Sequence, residues 1–152
     1  VFSVLPLPNT MSLTPKQIEE FQNKLNVEVK QIKELQGKNS KLISQKTQMI
    51  QQQSENELVK NELAMMEEDA TVYKLVGPVL VQQDKEDATS IVDKRLEYIN
   101  GELKRLDKQL TDNEEKSENH KKKALEIQQT AQAMAQKAAQ AAQAAAAQSA
   151  QA

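Results

Sequence analysis

The chain has 152 residues and a formal charge of −2, with 38% hydrophobic, 28% charged and only 3% aromatic residues. So few aromatics leave little of the buried area that a globular core normally draws on, and the near-neutral balance supplies no basic field for nucleic acid. Cysteine is absent, which excludes disulfides and thiolate metal sites and fits a cytoplasmic location.

What remains is rich in Glu, Lys, Gln and Leu with few Gly and Pro, the composition of long helices. No run approaches the roughly 18 apolar residues that span a bilayer, so no membrane partner is expected. Residues 1–12 read as disordered or as an extension. "VFSVLPLPNT" is apolar but has no basic n-region, which argues against a signal peptide. Met11 stands where a natural start would fall, one of two readings of this segment.

The first helix is expected within residues 13–69. Thr14 is placed as N-cap, Pro15 at the first helical position and Gln17 three residues after the cap, a capping box. Leu13 and Ile18 stand where a hydrophobic staple would close. Apolar residues then recur at heptad spacing. With Ile18 as a, Leu25 and Ile32 continue that position, while Phe21, Leu35, Leu42, Met49 and Leu63 fall at d. Asn39, Lys46, Gln53 and Lys60 interrupt the a series; Glu28 and Asn56 interrupt the d series. In the later half the apolar stripe is expected to drift through Ile43 and Ile50. A seam this weak needs a partner helix.

Residues 70–83 change character. "VYKLVGPVLVQQ" is rich in β-branched residues and broken by Gly77-Pro78, the pattern of a β-hairpin. Val72, Lys74 and Val76 point one way along the first strand and Tyr73 and Leu75 the other; Val79, Leu80 and Val81 lie in the second. A lone two-stranded hairpin is marginal in water. This one is apolar on both faces and has open edges, so other subunits are expected to cover it, joining hairpins into a sheet or barrel.

The second helix is expected over 84–135, its start marked by acidic residues between Asp84 and Asp87. Val92, Ile99, Leu106, Ile127 and Met134 form one heptad series; Leu96, Leu103, Leu110, Ala124 and Ala131 form the other. Asn113, Ser117 and His120 interrupt the middle. Residues 136–152 are Ala/Gln low complexity with high helix propensity and little to bury, and are expected to fray. Two long helices joined by a hairpin suggest an antiparallel coiled coil whose chain ends lie together. The expected register sets Leu63 opposite Val92, Met49 opposite Leu106 and Phe21 opposite Met134, with Asn39 near Ser117.

No phosphate loop, dinucleotide fingerprint or zinc-protease motif is present. The single His120 stands beside Asn119 and Lys121, with no nucleophile or metal partner nearby in sequence, and reads as a polar seam position that helps set register. The Lys121–Lys123 run is offset by Glu114, Glu115 and Glu118. No catalytic, cofactor or metal residue is assigned, and no enzyme activity is expected.

The hairpin stretch, followed by "DKRLEYINGELKRLDKQL", resembles the β-type subunits of prefoldin over roughly residues 14–130. The strand–Gly–strand–helix order between two heptad arms carries the resemblance; the Ala/Gln tail and residues 1–10 fall outside it. A single hairpin fits the β type, since the α type has two. The resemblance implies an ATP-independent co-chaperone of two α-type and four β-type subunits. Its hairpins would form a double barrel, and its coiled-coil tips would hold unfolded clients such as actin and tubulin for a group II chaperonin. The assembly residues would then be Val72, Tyr73, Leu75, Val76, Gly77, Pro78, Val79, Leu80 and Val81. Client contacts are expected from Leu13, Ile18, Phe21, Leu25, Ile127 and Met134, apolar groups near the end of the seam, where Met adapts to varied shapes. The alternative is a structural coiled-coil scaffold or tether without client binding.

Overall fold

The computed structural model describes residues 14–149. The order is α1 (Pro15–Met65), β1 (Val72–Val76), β2 (Val79–Gln83) and α2 (Lys85–Ser149). Helix α1 starts as its first residues dictate. The Thr14 N–H donates to Gln17 Oε1 at 3.1 Å and the Gln17 N–H donates to Thr14 Oγ1 at 3.4 Å, a reciprocal cap. Leu13, the other half of the expected staple, lies outside the described residues. With no proline between Pro15 and Pro78 the helix continues for 51 residues, about 76 Å at 1.5 Å per residue.

The end of α1 has no basic residue in its last turn. A cation comes instead from the start of α2: Lys85 Nζ donates to the Met66 carbonyl at 2.9 Å. This satisfies an orphan carbonyl and places positive charge at the negative end of the helix dipole. Helix α2 begins with the Ala88 N–H on the Asp84 carbonyl, and Glu86 and Asp87 lie in its first turn, where the dipole favours them. It continues through the Ala/Gln-rich stretch to Ser149, 65 residues in all, as the Ala propensity there favours.

The chain divides into two units. The unit of residues 38–112 holds the later part of α1, both strands and the early part of α2. Its helices are antiparallel. Lys46 pairs with Asp107 at 2.5 Å, Gln53 with Asn100 at 2.9 Å and Lys60 with Asp93 at 2.7 Å, so each heptad forward on α1 is a heptad back on α2. Leu63, Ala88, Val92 and Leu96 form a buried cluster, with Met66 and Val72 packed on it. Leu63 and Val92 thus meet in one core, and Val72 ties the hairpin to it. Ile99 and Leu106 are also buried.

The other unit comprises residues 1–37 and 113–152. Among its described residues Leu25, Ile32 and Leu35 of α1 and Ala124 and Ala131 of α2 are buried. Here too the helices are antiparallel: Glu28 Oε2 meets His120 Nδ1 at 2.6 Å, and Phe21 shares a groove with Ile127. The interruptions Glu28 and His120 are therefore partners. The expected register, which sets Phe21 opposite Met134, does not contain this pair.

The expected drift of the seam through Ile43 and Ile50 does not occur. Those side chains are 55% and 45% exposed. Lys46, Gln53 and Asn56 stay half-buried in the original heptad positions. The reason is pairing: Lys46 and Gln53 find a polar partner on α2, so the polar residues hold the seam and the isoleucines face outward.

Candidate functional site

Strands β1 and β2 form a two-stranded antiparallel sheet in which Val76 faces Val79, Leu75 faces Leu80, Lys74 faces Val81, Tyr73 faces Gln82 and Val72 faces Gln83. Two residues, Gly77 and Pro78, make the connection. Gly77 has φ 58°, a conformation that glycine adopts without a Cβ penalty. A positive φ followed by the fixed negative φ of proline is the sign pattern of a type II′ hairpin turn, whose twist suits paired strands.

Alternation then distributes the side chains over both faces. Tyr73, Leu75 and Leu80 lie on one; Val76, Val79 and Val81 lie on the other, and all six are about half exposed or more. Val72 is half-buried through its contact with the Leu63 cluster, and Gln83 opposite it is half-buried too. Among the described residues the sheet has two strands, so each keeps an edge of unpaired N–H and C=O groups. Apolar faces and open edges together make a surface suited to further strands and a second apolar layer.

A second feature lies in the unit of residues 1–37 and 113–152. A groove of roughly 530 Å³ is lined by Phe21, Val27, Ile127 and Thr130, with Lys24, Glu28, Lys123 and Glu126 also on its walls. Phe21 and Ile127 are half-buried and Val27 is exposed. Lys24 Nζ bonds Glu20 Oε1 at 2.7 Å, and this hydrogen bond and the ammonium charge hold the Glu20 carboxyl below its ordinary range. The arrangement is an apolar floor with charged margins, suited to contact rather than to bond-making chemistry.

The expected client residues separate into different settings. Phe21 and Ile127 come together in this groove. Ile18 is half-buried one turn before Phe21. Leu25 is buried and completes the packing of the helices. Met134, expected opposite Phe21, is exposed, and Ile127 takes the place beside Phe21. Leu13 lies outside the described residues. Sequence reading missed Val27, an apolar residue two positions after Leu25 and outside the heptad; being off the seam was its available signal. Among the described residues no group of three or more His, Asp or Glu is placed to hold a metal ion, and no helix is long and apolar enough to cross a membrane.

Comparison with known proteins agrees with this geometry. The family described as "Prefoldin subunit" matches residues 26–132. The chain is 54% identical to prefoldin subunit 6 of Arabidopsis thaliana over 83 residues, which span 55% of this chain and 64% of that protein. It is 41% identical to prefoldin subunit 6 of Bos taurus over 79% of this chain and 94% of that protein. The prefoldin beta subunit from Thermococcus strain KS-1 shares the fold, with a TM-score of 0.61 at 24% identity over 70% of this chain and 90% of that one.

Proposed function

Because the chain belongs to the prefoldin subunit family, we propose that it acts as a β-type subunit of a heterohexameric, ATP-independent co-chaperone, joined to neighbouring α-type and β-type subunits through β1 and β2. The observation that supports this reading is the hairpin itself. Six exposed apolar side chains stand on two faces of a sheet that has two strands among the described residues. A helical scaffold or tether, the other reading, has no use for such a sheet.

Clients are unfolded chains, actin and tubulin among them, held for a cytosolic chaperonin. Capture falls to the start of α1, which carries Ile18 and Phe21 with Leu13 before them in sequence, and to the part of α2 that carries Ile127 and Met134. Leu25 supports Phe21 from within the seam. Phe21, Val27 and Ile127 form an apolar floor with charged margins, which suits transient contact with many sequences, because a shallow surface imposes little shape selection. Nothing in this role requires a cofactor or a catalytic group.

Replacing Phe21, Ile127 and Met134 together with glutamine tests the assignment. The triple variant should still enter a heterohexamer of similar-sized subunits by native mass spectrometry, and should lose most of its suppression of denatured-actin aggregation. Full suppression by the triple variant would overturn capture at these residues. A homodimer in the unsubstituted sample would favour the scaffold.

A further inference from the structure

Helix α1 has a second apolar row that neither the seam nor the hairpin uses. Ile43, Ile50, Leu58 and Met65 are exposed, up to 78% at Met65. Thr47, Ser54 and Asn61 fill the gaps between them, so the row advances by three or four residues at every step. Ile43, Ser54 and Met65 are eleven apart, as are Thr47 and Leu58, and Ile50 and Asn61. The seam on the same helix repeats every seven. An 11-residue repeat averages about 3.67 residues per turn, so this row runs almost straight along the helix. It covers about 33 Å at 1.5 Å per residue.

Three observations say what would cover it. First, the row carries no charge, and its hydroxyls are already engaged. Thr47 Oγ1 donates to the Ile43 carbonyl at 2.9 Å and Ser54 Oγ donates to the Ile50 carbonyl at 3.1 Å. Apart from the Asn61 carboxamide, a partner therefore meets methyl and methylene groups without displacing water from free donors. Second, a helix backbone has no open edge for a strand, and a single straight row is matched by another helix row. Third, the flanks are acidic. Glu57 lies on one side, Glu55 and Glu62 on the other, while the nearby Lys46 and Lys60 are paired with Asp107 and Asp93.

We infer that the Ile43–Met65 row is a docking surface for an amphipathic helix of another protein, one that carries a single apolar row with Lys or Arg beside it. The basic flank sets orientation and selectivity and the apolar row supplies the contact area. This surface shares no residue with the strand faces or with the Phe21–Ile127 groove.

The test uses the full chain and two labelled 22-residue helical peptides, each with leucines at the 11-residue repeat. One has lysines flanking the row, the other glutamates. Fluorescence anisotropy should show the Lys-flanked peptide binding at least tenfold more tightly than the Glu-flanked one. The variant I50Q/L58Q, exposed positions given a good helix former, should weaken the Lys-flanked peptide at least tenfold with an unchanged thermal melt. The variant E57K/E62K should reverse the preference between peptides. Equal binding of both peptides, or full binding to I50Q/L58Q, would overturn the inference. So would sedimentation showing that the row is occupied by a second copy, with I50Q/L58Q converting a dimer to monomer.

Discussion

Replacing Val79 and Val81 with aspartate separates assembly from folding of the subunit. The two valines are 56% and 48% exposed. Complete burial of a valine contributes roughly 1.5–3 kcal/mol, so covering the remaining half of each is worth about 1 kcal/mol, or about 2 kcal/mol for the pair. The double aspartate forfeits that and places two carboxylates in the covered layer, each adding several kcal/mol of desolvation. Incorporation should therefore fall by more than about a thousandfold, using 1.4 kcal/mol per factor of ten. Aspartate is the informative choice because Val81 faces Lys74 across the sheet. An opposite-charge pair there supports the hairpin in the isolated chain, whereas lysine would place like charges together. Neither valine belongs to the Leu63 cluster, so circular dichroism should show unchanged helicity. Native mass spectrometry with partner subunits reads the outcome. A double variant that enters the complex with unchanged midpoint concentration would refute covering of this face.

Leu106→Ala removes a side chain that is only 2% exposed and should lower unfolding stability by about 2–5 kcal/mol in urea titrations; Ile43→Ala, on the outer face, should stay within about 0.5 kcal/mol. Gly77→Ala imposes the positive φ on a side chain, while nothing stands within 4 Å of the added methyl. It should destabilise the hairpin by about 1–2 kcal/mol and Gly77→Asn by less, read as loss of incorporation into the complex. Exchanging the charges of one inter-helix pair, K60D/D93K, should recover the stability lost in either single reversal, with a coupling below about 1 kcal/mol because both groups are half exposed; a double-mutant cycle measures it.

Elements governed by neighbours in the chain were legible from residues alone. The Thr14–Gln17 cap, the two five-residue strands around Gly77-Pro78 and the heptad positions Leu25, Ile32, Leu35 and Leu63 depend on dihedral preferences and spacing over a few residues. The need for a cover over the hairpin followed from its composition. Reading apolar residues alone failed at Ile43 and Ile50, because a helix with two apolar rows gives no local sign of which one faces its partner. The Phe21–Met134 pairing failed for a related reason. Heptads repeat, so one helix can be slid along the other with little change in apolar matching.

The sequence by itself determined two long helices, one hairpin between them and the residues that start each element, since those rest on hydrogen bonds and torsions within one or two turns. Only the tertiary structure decided which face of α1 is the seam. It did so through Lys46–Asp107, Gln53–Asn100, Lys60–Asp93 and Glu28–His120, whose partners are 33 or more residues apart along the chain. Their pairing satisfies polar groups within the contact, and so turns Ile43, Ile50, Leu58 and Met65 outward.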